Sequence, residues 1–121
     1  MTEEKATLSK REQQIQEMEE YISQLEKLIE QKRQVEDLLH NKAFNDLILE
    51  DYCKKEVVRY LKLAVLEELP AQARDESLAM AEDAVKLKIF LDNVSRFGAI
   101  AERDISEARK ALAQLESEKD D

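Results

Sequence analysis

Apolar residues recur seven apart along the first third of the chain, at Leu8, Ile15, Ile22 and Ile29. A second row three residues on holds Met18, Leu25 and Leu39, with Arg11 at its start and Lys32 as its polar member. This is an a/d heptad seam, mostly β-branched at a, and it predicts a coiled-coil helix over residues 8–39. Tyr21, Leu28 and Val35 form a further seven-residue row beside it. A stripe that wide meets more than one neighbour. Thr7 is the candidate N-cap.

The last third is more regular. Met80, Ala84, Leu87, Leu91, Val94, Gly98, Ala101, Ile105, Ala108, Leu112 and Leu115 follow alternating steps of four and three. Such a 3.5-residue period predicts a long heptad helix over 75–116, supercoiled left-handed against a partner helix. Gly98, Ala101 and Ala108 face the seam, with Ala111 close by, and small side chains there let two backbones approach closely. A glycine inside a helix costs about 1 kcal/mol relative to alanine, so Gly98 calls for a packing reason or a kink.

Between these segments the pattern is less periodic. Asn41 can cap a short helix from Lys42 to Leu49 with Phe44, Leu47 and Ile48 inward. Glu50 and Asp51 then interrupt the apolar rows, and Asp51 can cap a second helix starting at Tyr52. That helix would place Val58, Leu61, Val65 and Leu69 on one face, flanked by Val57 and Leu66. Pro70 ends it or opens the next turn, and Ala71 to Arg74 form the linker.

Together the segments predict an all-α fold in a single helical domain. It is a long antiparallel helical hairpin, a coiled-coil stalk, with a small helical head formed by the middle segment over 41–69. Phe44, Ile48, Tyr52, Phe90 and Phe97 should concentrate aromatic burial in that head, and residues 1–7 and 116–121 should fray. The heptads read first as internal packing, with Ile15, Met18, Ile22, Leu25 and Ile29 opposing Leu87, Leu91, Val94, Gly98, Ala101 and Ile105. A stalk buries only a narrow stripe, so a partner or self-association is expected to complete the fold.

Composition narrows the classes. One glycine and one proline in 121 residues leave too little to build the turns of an all-β or doubly wound α/β fold. No apolar run is long enough to span a membrane, and charges occupy the N-terminus where a signal peptide would carry its apolar core. Cys53 is alone and forms no internal disulfide, which fits a cytoplasmic chain or a particle assembled there. The formal net charge is −9. Nucleic acid is thereby disfavoured as a partner of the monomer. The middle segment is nearly neutral, and its Lys54, Lys55, Arg59 and Lys62 cluster at helical spacing.

Candidates for chemistry are few. His40 and Cys53 are single copies with no third group placed to orient them. There is no CxxC, HExxH or EF-hand pattern, and Glu36 stands four residues before His40 where a di-metal helix pair needs three. Doublets such as Glu19-Glu20, Glu67-Glu68 and Glu82-Asp83 read as solvated helix faces. No catalytic, metal or cofactor residue is assigned, no small-molecule partner is expected, and the expectation is a protein that is not an enzyme. The candidate partner-binding residues are Tyr52, Lys55, Arg59, Tyr60 and Lys62, a mixed aromatic and basic group of the kind that anchors interfaces.

The middle segment carries the pattern Asn41-x-x-Phe44-x-x-x-Ile48-x-x-x-Tyr52-x-x-x-Glu56-x-x-Arg59-x-Leu61. It is preceded by a coiled coil and followed by a Pro-containing linker and a long helix bearing Leu87, Leu91 and Gly98. Over residues 20–115 the chain resembles small helical accessory proteins encoded by tailed bacteriophages, which often have Gly where Asp51 stands. The resemblance implies a phage-encoded subunit serving head assembly or the virion, located in the host cytoplasm or the particle, and it carries over no catalytic residue. The functional expectation is therefore a non-enzymatic interaction or assembly protein. Two alternatives are an acidic inhibitor that mimics DNA to a host protein, and a small DNA-packaging factor using the basic patch on an oligomer.

Overall fold

The computed structural model describes residues 9–119. Thr7, Leu8, the expected ragged start at 1–7 and residues 120–121 lie outside them. Three helices make up the described chain: α1 (Lys10–Leu39), a middle helix α2 and α3 (Ala71–Lys119). α2 winds without a break through Lys42–Phe44, Asn45–Glu56 and Val57–Ala64. The all-α class holds, and α1 and α3 pack antiparallel. The chain divides into two compact units, Met1–Lys32 with Phe97–Asp121, and Arg33–Arg96.

In the first unit the heptad seam closes as the spacing predicts. Ile22, Leu25, Ala101, Ile105 and Ala108 form a buried cluster, with Met18, Leu28, Ile29 and Leu112 packed against it. Ser9 caps α1, its hydroxyl accepting the Glu12 N–H at 3.0 Å. That bond satisfies one of the donors a helix start leaves free. The far end of α3 is helical to Lys119, beyond the expected stop at 116. There Arg11 donates to the Glu118 carbonyl.

Gly98 has its packing reason in this unit. A Cβ there would collide with the Cβ of Lys32 and lie 3.0 Å from the Leu28 carbonyl oxygen. The Lys32 stem crosses at the one position without a side chain, and its ammonium pairs with Glu102 at 2.8 Å. Lys32, the polar member of the α1 seam, thus covers a glycine and keeps its charge at the surface.

The second unit contains the C-terminal end of α1, all of α2 and the first half of α3. Val35, Ala81, Ala84 and Leu91 are its buried residues. Asn41 caps α2 as expected, its Oδ1 accepting the Phe44 N–H at 2.9 Å. The Asn45 amide donates to the Leu39 carbonyl at 2.5 Å and the Asn41 carbonyl at 2.9 Å, tying the start of α2 to the end of α1.

Several expectations are corrected here. No break occurs at Glu50 and Asp51; the acids serve i,i+4 pairs, Glu50 with Lys54 at 2.9 Å and Asp51 with Lys55 at 3.4 Å. Acid-before-base pairs at this spacing support a continuous helix. Asn45–Glu56 carries the wider i→i+5 winding, the rarest helical form. α2 ends at Ala64, so the connection spans residues 65–70, and Ala71 to Arg74 are the first turn of α3, not a linker. Pro70 has no N–H to lose there, and its carbonyl accepts from Arg74 at 3.1 Å.

The expected apolar face of Val58, Leu61, Val65 and Leu69 is not a buried one. Val58 and Leu61 are exposed within α2, Val65 is 76% exposed just past its end at Ala64, flanking Leu66 is exposed, and Leu69 is half-buried in the connection. Leu47, meant to point inward, is 64% exposed. Aromatic burial does not gather in this unit as expected: Phe44 and Tyr52 are half-buried, but Phe90 is 61% exposed, and Phe97, in the first unit, is exposed as well. Leu39 and Met80, placed in the seams, are exposed too. Leu39 is the last residue of α1, and at the α3 position Ala81 takes the interior in place of Met80.

Candidate interaction surface

The second unit leaves apolar surface uncovered along two helices. On α3, Leu78, Val85 and Ile89 follow steps of seven and four. At about 100° per residue they lie roughly 100–160° around the helix from Ala84 and Leu91, so α3 is apolar on two sides. One side is buried and the other is half open to solvent. On α2, Val57 and Leu61 are one turn apart and approach the open side. With Leu78, Ala81 and Val85 they line a shallow apolar groove of about 340 Å³. Its polar members are Glu82 and Lys86, one turn apart on α3. Phe90, also exposed, lies about 100° further round the helix from Ile89 and outside the groove.

The groove was not among the residues singled out from sequence. The signal was present as a second seven-residue row in α3, overshadowed by the more regular seam. Leu61, expected on one face with Val58, Val65 and Leu69, supplies one wall.

The aromatic and basic group on α2 is brought together but is largely engaged within its own helix. Arg59 meets the Glu56 carboxylate with Nη2 at 2.7 Å and Nε at 3.1 and 3.2 Å. Its guanidinium also lies over the Tyr60 ring, 4.4 Å from the centroid, in a cation–π contact. The Arg59 hydrogen bond holds the Glu56 carboxyl below the usual range, and Glu56 in turn raises the Arg59 guanidinium. Lys54 and Lys55 are paired as above, Lys62 is exposed, and Tyr52 and Tyr60 are half-buried. Three of the four clustered bases therefore face an acid of their own helix, which reduces the field a phosphate would meet.

His40 and Cys53 both fall in the second unit. His40 sits at the end of α1, its Nδ1 2.7 Å from the Glu36 carbonyl oxygen. Cys53 is half-buried in the π-wound stretch of α2; burial pushes its thiol up, and the charge of Lys88 partly offsets that. Among the described residues no group of three or more His, Cys, Asp or Glu is arranged to hold a metal ion. No described helix is long and apolar enough to cross a membrane. The first unit carries an open furrow lined by Met18, Tyr21, Ala111 and Leu115, with Gln14, Glu17, Gln114 and Glu118 around it. Four polar or charged side chains share its lining with the four apolar ones, whereas the groove of the second unit is apolar but for Glu82 and Lys86.

In comparisons with known proteins, no family model matches the chain, and no curated protein or solved structure matches it.

Proposed function

We propose that this chain is a non-enzymatic interaction protein that works as an assembly subunit, engaging protein through the open apolar surface of its second unit. The observation that carries this reading is the exposure of Leu61, Leu78, Val85 and Ile89 on neighbouring helix surfaces of a chain that is 39% charged. Such a chain has ample polar residues to cover a helix face. Large exposed apolar patches mark contact sites, because leaving them in water costs about 25 cal/mol per Å². The remaining exposed surface is acidic overall, which discourages non-specific association elsewhere.

The mechanism is geometric. Within the second unit α3 is a preformed helix, so its apolar side is presented without a further ordering cost. The setting we infer follows the resemblance in the middle segment: a phage-encoded structural or head-assembly accessory subunit, acting in the host cytoplasm or the virion through coiled-coil and helical contacts.

The test is the size of the tagged full chain in extracts of the cells that naturally make it. The wild type should run in a species larger than 14.1 kDa. An Ile89→Asp/Phe90→Asp chain of unchanged helicity should run free. A wild-type chain found only as a free monomer, or a variant that stays in the assembly, contradicts the reading.

A further inference from the structure

We propose that the groove on the second unit is covered by a second copy of this chain, pairing α3 with α3 about a two-fold axis near Ala84. The inference rests on the reading of this surface as an interaction site and names its partner.

Charge is the first argument. The chain carries −9, so two copies repel over most of their surface. The groove is an exception, an apolar strip whose charged members are one acid and one base, Glu82 and Lys86. They stand at i,i+4 in the orientation that favours an intrahelical ion pair, as Lys88 and Asp92 do in the reverse order at 2.6 Å. Yet neither Glu82 nor Lys86 forms an ion pair among the described residues. A two-fold axis between positions 82 and 86 sets Glu82 against the partner's Lys86 and Lys86 against the partner's Glu82. The strip is thereby its own electrostatic complement, which an isologous contact requires.

Register is the second argument. Antiparallel pairing about position 84 puts Val85 of both copies at the centre, within about 2 Å of the axis along the helix. Leu78 then lies about 9 Å to one side, close to the level of the partner's Ile89 on that side. The outer apolar residues of each copy meet those of the other, and Val57 and Leu61 close the flank.

Area is the third. Leu61, Leu78, Val85 and Ile89 expose between 42% and 50% of their surface. For side chains of this size that is on the order of 300 Å² of apolar surface per copy. Interfaces are roughly 60% apolar, so two copies would bury about 1,000 Å² in total. That is at the lower end of specific interfaces, so the dimer should be concentration-dependent and not obligate.

Sedimentation of the purified full chain at low and high micromolar concentration tests the pairing, with circular dichroism as the control for folding. The wild type should rise from 14.1 kDa toward twice that mass. Glu82→Lys alone and Lys86→Glu alone should each weaken association by about tenfold. The double exchange Glu82→Lys/Lys86→Glu should restore it, and an equimolar mixture of the two single variants should form a mixed dimer tighter than either homodimer. Val85→Asp should weaken association by about a hundredfold or more. A wild type that stays at 14.1 kDa at both concentrations overturns the second copy and assigns the groove to a different protein, leaving the broader reading to the extract experiment. A dimer that ignores the charge exchanges and Val85→Asp overturns this face as the site of pairing.

Discussion

The two units of this molecule spend the same resource differently. In the first, the apolar rows of α1 and α3 close on each other, down to a glycine filled by a lysine stem. In the second, α3 again carries a buried row, at Ala84 and Leu91, but adds another side with Leu78, Val85 and Ile89 left half open. Helix formation and internal packing need only the first arrangement. The additional apolar side contributes nothing to a free chain except solubility risk, so its presence points outward.

Matched substitutions test that difference most strongly. Ile105→Asp, in the closed unit, should cost at least about 4 kcal/mol, because a carboxylate is forced into the buried cluster beside Ala101 and Ala108. Ile89→Asp should change the stability of the dilute chain by less than about 0.5 kcal/mol, since that side chain is half in water already. Thermal and denaturant unfolding of the two variants at low concentration measure both. Equal losses would erase the distinction between the units.

Next in size is Gly98→Ala. Alanine is the better helix former by about 1 kcal/mol, yet the added methyl meets Lys32 and the Leu28 carbonyl, so the two helices must separate. A net loss of about 1–3 kcal/mol is expected, as for overpacked cores, read by urea unfolding. A stabilised variant would mean that the crossing is looser than described.

Asn41→Ala should cost about 1 kcal/mol in the second unit, because the first turn of α2 loses its side-chain acceptor. Amide exchange at Phe44 should accelerate while exchange around Ile105 stays unchanged. The smallest effect concerns pH. The Glu56 carboxyl is held below its unfolded range by Arg59, so the ionised form stabilises the folded state above the unfolded value. That contribution is lost as pH falls through the lowered folded value. The pair is exposed, so the acid-side loss should be slight, and Arg59→Ala should remove it in an NMR titration of Glu56.

The seam was readable from the sequence because it is periodic and because small residues mark close approach. Every position from Ala84 to Leu115 in the α3 row is buried or half-buried. The middle helix was harder to read. Glu50 and Asp51 have the chemistry of caps and also of partners for lysines four residues on, and only the tertiary context decides which role wins. Pro70 suits both the end of one helix and the opening of the next turn, and it stands immediately before the start of α3. The open groove escaped because Val57 and Leu61 reach it from another helix, and a one-dimensional pattern does not report which residues of two helices converge. The residues Tyr52, Lys55, Arg59, Tyr60 and Lys62 looked available in sequence, whereas i,i+3 and i,i+4 acids engage Arg59 and Lys55.

Solvent paramagnetic relaxation at side-chain resonances, followed over a concentration series, separates a unit closed on itself from one that awaits a second copy. Val85 and Ile89 should lose relaxation enhancement as concentration rises while Ala101 and Ile105 stay protected throughout. Enhancement at Val85 and Ile89 that is independent of concentration, or exposure of Ile105 equal to theirs, would overturn that contrast.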